Sequence, residues 1–143
     1  MAARAANARR GGVVALRDGG SIAFDEYGDP AGTPLIFCHG WPSSRSMAQL
    51  TDHAACELGF RIISPDRPGI NGSSFVAGRQ LLDWTKTVDA LATHLGLSRF
   101  GLLGVSGGAP YAYAAAWASP ERVEAIAIVS GVPPLTGRND MSG

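Results

Sequence analysis

Along the chain, apolar residues fall into short runs whose period switches between two and three or four, and each switch marks an element. Residues 13–16 and 21–27 are alternating runs on either side of Asp18-Gly19-Gly20, a turn signal, and predict an antiparallel hairpin. Residues 28–33, rich in Gly and Pro, break that pattern, and 34–38 form a continuous apolar run of the kind buried on both faces of a parallel sheet. Ser43 or Ser44 caps a helix in which Met47, Leu50, Ala54 and Leu58 recur on one face until Gly59 stops it. Residues 60–64 predict a strand that runs into 65–73, a loop dense in turn formers. A second helix over 82–95 has Leu81, Val88, Leu91 and Leu95 at helical spacing and Gly96 as its stop. Residues 100–105 predict a strand, 110–118 an Ala-rich helix ending near Ser119-Pro120, and 123–129 one more buried strand closed by Ser130-Gly131.

After the hairpin, strands alternate with helices. That order requires right-handed crossovers and predicts a mostly parallel sheet covered by helices on both faces, an α/β doubly wound architecture. Ligands of such sheets bind outside the carboxyl ends of the strands. His39-Gly40-Trp41, residues 66–73 and Ser106 all fall at those ends, so three loops converge on one rim.

Composition narrows the picture. With 143 residues, 45% hydrophobic and 17% charged, the chain has the make-up of one globular domain. Residues 1–12, with Arg4, Arg9 and Arg10 among alanines, read as a disordered tail, and 13–143 as the core. Twelve basic and twelve acidic side chains cancel, which gives no electrostatic case for nucleic acid or an anionic membrane and favours a small neutral substrate. The chain carries neither a long apolar run nor the apolar core of a secretory signal, so cytoplasm is the expected location. Cys38 and Cys56 fall at core positions and read as two reduced, buried thiols, and no ligand spacing suggests a metal or an organic cofactor.

The candidate chemistry centres on Gly104-Val105-Ser106-Gly107-Gly108, set between an apolar run and an Ala-rich one. By itself G-x-S-x-G is a weak signal in a chain with 19 glycines, and its strand-turn-helix setting supplies the specificity. A serine on such a turn needs a strained backbone, and small residues two before and two after it let strand and helix pass closely.

These residues resemble the α/β-hydrolase family, in its branch of single-domain esterases, peptidases and C–C hydrolases, over about residues 13–132. His39-Gly40-Trp41-Pro42 is similar to the family's oxyanion loop, Asp66-Arg67-Pro68-Gly69 to its following strand-end turn, and residues 104–108 to its nucleophile elbow. Asn71 stands where the family usually has Gly, and Asn also tolerates the left-handed conformation such a turn needs.

The resemblance implies a serine hydrolase of ester or related acyl bonds with Ser106 as nucleophile and the main-chain N–H groups of Gly107 and Trp41 as oxyanion donors. His39 and Gly40 shape the oxyanion loop, Asp66 holds the turn after it, and Trp41 also walls the acyl pocket. His53 and His94 read as solvated surface residues. Serine at the elbow argues against the carboxylate-nucleophile chemistry of haloalkane dehalogenases and epoxide hydrolases.

The family's triad runs Ser, then Asp or Glu, then His, and this chain has no histidine after His94. Asp140 alone is available as a late acid and reads as a solvated loop residue. The expectation is therefore an α/β-hydrolase core truncated after its sixth strand, lacking the lid, with that strand left as an edge and one apolar side uncovered. Little esterase turnover is expected of these 143 residues alone, and the competing reading is a non-catalytic α/β-hydrolase-like protein that binds a small molecule or a protein partner.

Overall fold

The computed structural model describes residues 10–132. The hairpin is β1 (Arg10–Ala15) and β2 (Ser21–Gly28), followed by β3 (Thr33–Cys38), a 3-10 segment (Arg45–Thr51), α1 (Asp52–Leu58) and β4 (Phe60–Pro65). Then come α2 (Asp83–His94), β5 (Phe100–Val105), a single 3-10 turn (Ser106–Gly108), α3 (Ala109–Ala118) and β6 (Val123–Val129). The strands form one sheet in the order β1-β2-β4-β3-β5-β6. The hairpin joins antiparallel through β2 and β4, whereas β4, β3, β5 and β6 run parallel. The carboxyl ends of those four strands therefore share one edge of the molecule.

Helices cover both faces, as the alternating order predicts. On one face Trp84, Val88, Leu91 and Ala92 of α2 and Ala112 and Ala115 of α3 pack on Phe24, Ile36, Cys38, Ile63, Phe100 and Leu102. On the other, Ala48 and Ala55 pack on Tyr27, Phe37 and Ile62. Each fully buried large aliphatic or aromatic side chain among these contributes about 1.5–3 kcal/mol.

Four sequence expectations need correction. Residues 10–12 belong to the sheet rather than the tail, with Arg10, Gly11 and Gly12 opposite Glu26, Asp25 and Phe24. The single helix expected up to Leu58 is a 3-10 segment followed by a short α-helix. A 3-10 segment turns 120° per residue instead of 100°, so the apolar stripe does not carry across the junction. Leu50 and Leu58 are accordingly 87% and 71% exposed, and Ala48 and Ala55 face the sheet in their place. Cys56 is only partly buried, unlike Cys38. Finally, β6 is not a buried strand. Ala125, Ala127 and Val129 are exposed because β6 is a sheet edge and no described element covers its α1-side face, and Ile126, on the opposite face, is also exposed.

Candidate active site

The rim residues take their places from backbone constraints first. β5 is extended through Val105 (φ −118°, ψ 127°), and the chain then turns through Ser106 at φ 51° into the 3-10 turn and α3. A positive φ puts the serine Cβ close to its own following carbonyl, a conformation that costs about 1–2 kcal/mol for residues other than Gly, Asn or Asp. The turn is possible because its neighbours lack side chains. A Cβ on Gly108 would collide with the Cys38 carbonyl oxygen and lie 2.9 Å from the His39 oxygen, while one on Gly104 would lie 3.0 Å from Ala112 Cβ and 3.1 Å from Ala109 Cα. The elbow therefore lies directly against the loop that leaves β3.

That contact builds the candidate oxyanion site. A Cβ on Gly40 would stand 3.3 Å from Ser106 Cβ, and one on Gly107 would stand 3.5 Å from the Trp41 nitrogen. The Trp41 main-chain nitrogen thus lies close to Gly107, and Gly40 lies against Ser106. The Ser106 carbonyl accepts from Ala109 N–H and, at 3.3 Å, from Val132 N–H, which fixes the Ser106–Gly107 peptide whose N–H is one candidate donor.

His39 is fully buried, and both its ring nitrogens are engaged. Arg67 N–H donates to Nε2 at 3.2 Å, so the proton resides on Nδ1, which donates to the Gly40 carbonyl at 2.9 Å. An imidazolium could not accept from Arg67, and burial accordingly pushes the His39 pKa below its ordinary value. This histidine is a neutral brace of the Gly40 loop, with no free nitrogen to serve Ser106. Next to it, burial pushes the Cys38 thiol up to about 12, which leaves it protonated.

Asp66 holds the loops, as its position in the sequence suggests. Its carboxylate accepts from Arg45 N–H at 2.7 Å and Gly72 N–H at 3.1 Å, and it pairs with the Arg45 guanidinium, which also reaches Asp25 at 2.9 Å. Asn71 takes φ 47° in that turn. Nothing in the residue pattern announced the place of the Arg67 side chain. Its guanidinium donates to the Gly40 carbonyl at 3.0 Å and to the Gly107 carbonyl at 3.2 Å, and lies 4.5 Å from the centre of the Tyr111 ring. Arg67 was visible only as part of a turn motif, since nothing in spacing reveals which carbonyls a long side chain will reach.

Other candidates do not join the site. His53 and His94 are exposed on α1 and α2, the first facing Glu57 and the second edge-on to Phe24, and Asp140 lies outside the described residues. No described residue hydrogen-bonds Ser106 Oγ. Trp41 is 76% exposed. A cleft of about 690 Å³ lies elsewhere, between the β1–β2 turn, residues 76–79 and α2. Among the described residues no group of three or more His, Cys, Asp or Glu is placed to hold a metal, and no helix is long and apolar enough to cross a membrane.

The family model for the alpha/beta hydrolase fold matches residues 33–142. The chain belongs to that family. It is 33% identical over 136 residues to the non-heme chloroperoxidase of Streptomyces lividans, covering 90% of this chain and 48% of that one. It is 32% identical over 127 residues to the bifunctional esterase/perhydrolase DCH of Acinetobacter calcoaceticus, covering 87% and 46%. Among solved structures, the epoxide hydrolase CorEH superposes with a TM-score of 0.81 at 26% identity, over 93% of this chain and 46% of that one. This α/β-hydrolase chain thus spans about half the length of the curated relatives it matches.

Proposed function

We propose that this chain carries the nucleophile side of a serine hydrolase acting on carboxylic esters or related acyl bonds of small molecules. The observation that carries the reading is the left-handed Ser106 at the end of an interior strand, with Gly40 against it and the Trp41 nitrogen close to Gly107. Ser106 Oγ attacks the acyl carbonyl and gives up its proton, and the oxyanion that forms is held by the two main-chain N–H groups and the positive end of α3. The alcohol leaves, and water releases the acyl group from Ser106. The chemistry requires neither metal nor organic cofactor.

Relatives with epoxide hydrolase among their names do not shift the reading. A serine oxygen that opened an epoxide would be left as an ether, which water does not release, whereas an acyl serine hydrolyses readily. Among the described residues neither His39, whose ring nitrogens are both engaged, nor the exposed His53 and His94 is placed to take the Ser106 proton.

The test is hydrolysis of p-nitrophenyl acyl esters by the product of the complete reading frame. Ser106→Ala is expected to lower kcat by on the order of 10⁶-fold. Turnover that survives the substitution, or a folded product inert across acyl chain lengths, would favour the competing reading of a non-catalytic α/β-hydrolase-like protein that binds a small molecule or a protein.

A further inference from the structure

Arg67 is 4% exposed, and no carboxylate among the described residues pairs with it. A buried cation is costly unless its surroundings use the charge. Here its neighbours are two main-chain carbonyls and the face of Tyr111, which is itself held edge-on by Trp84 at 5.6 Å between ring centres. Those two carbonyls belong to the two residues through which the candidate oxyanion donors are reached. The Gly40 carbonyl shares a peptide unit with the Trp41 N–H, and the Gly107 carbonyl belongs to the residue whose own N–H is the second donor.

The Gly40–Trp41 peptide is trans, so its N–H points away from the carbonyl that Arg67 and His39 Nδ1 bind. With two donors on one carbonyl, that peptide plane is fixed. A carbonyl that accepts from a cation also draws electron density from its own N–H, which becomes a stronger donor on the far side. One planar guanidinium reaching carbonyls on both loops also sets the distance between them, which a single ammonium cannot do in the same way.

We propose that Arg67 is a positioning residue for acyl transfer. It clamps the loop after β3 to the nucleophile elbow, orients and polarises the N–H of Trp41 through the Gly40 carbonyl, and holds in place, by the Gly107 carbonyl, the residue whose own N–H is the second donor. The proposal rests on Ser106 being the nucleophile. Because the oxyanion exists only after attack, the clamp acts on the transition state, so its loss falls on kcat and leaves KM nearly unchanged.

The experiment measures p-nitrophenyl ester kinetics of the complete reading frame's product as wild type, Arg67→Lys, Arg67→Met and Ser106→Ala, with urea midpoints for each. Arg67→Lys is expected to lose about 10-fold and Arg67→Met about 100-fold in kcat, the latter at the lower end of the 10²–10³-fold typical of deleting a donor outright. Added guanidinium ion should restore part of the Arg67→Met loss and leave Arg67→Lys and wild type unchanged. If Arg67→Met does not fold, the kcat and KM of Arg67→Lys decide alone. Wild-type kcat in the folded Arg67 variants, a loss borne by KM, or a folded Arg67→Met that guanidinium does not rescue would overturn the clamp. Turnover retained in Ser106→Ala would overturn it through the nucleophile assignment, and that arm identifies which of the two failed.

Discussion

At Ser106 the backbone keeps a conformation that its own Cβ disfavours, at φ 51°. Such strain persists only where surroundings over-determine it, and here the Ala109 and Val132 N–H groups hold the following peptide. Replacing Ser106 by Ala keeps the Cβ and the strain, whereas Gly removes both. Urea unfolding should therefore find Ser106→Gly more stable than Ser106→Ala by on the order of 1 kcal/mol, after the greater chain entropy of Gly is subtracted. At an unstrained turn the order would be reversed. His39 gives a second prediction. Its folded pKa lies below the ordinary 6.5 because the buried ring is neutral and accepts from Arg67 N–H. Above that pH neither state takes up a proton, while below it the unfolded chain does so first, so stability declines as pH falls from about 6.5 toward the folded value. Unfolding free energies at pH 7.5 and 5.5 should show that decline in wild type and a shallower one in His39→Gln.

Among the elements, the strands were the most legible. The bounds read for β3, β4, β5 and β6 fall within one residue of those observed, because mainly apolar runs bounded by turn formers have few other ways to join a sheet. The segment before β4 was not legible to the same degree. Met47, Leu50, Ala54 and Leu58 suit a helical face, but the 3-10 geometry at Arg45–Thr51 rotates that face, and the burial goes to the smaller Ala48 and Ala55. The elbow's glycines were readable as a requirement for close approach, and the contact that imposes it, between Gly108 and the Cys38 carbonyl, is visible only in three dimensions. Gly108→Ala drives a methyl into that carbonyl and into the His39 oxygen, two backbone atoms that cannot swing aside. Its expected cost is about 1–3 kcal/mol or more, measured by chemical denaturation, together with loss of the contact that brings Trp41 beside Gly107. An unchanged midpoint would mean that β3 and α3 approach less closely than described here.

Across the whole sheet, β1 and β6 are the two edges, and among the described residues Val129 of β6 is 51% exposed beside Ala125 and Ala127. The fold and the converging rim were legible in the sequence because three motifs in register are rarely accidental. The Arg67 clamp was not, because it depends on which backbone atoms a long side chain meets after folding. The account stands on Ser106 being a nucleophile beside a formed oxyanion site. The most direct measurement is to treat the product of the complete reading frame with a fluorophosphonate and map the adduct by peptide mass spectrometry. The account predicts one phosphonylated residue, Ser106, with labelling lost in Ser106→Ala and slowed in Arg67→Met. A folded protein that stays unlabelled, or an adduct on any other residue, would contradict it.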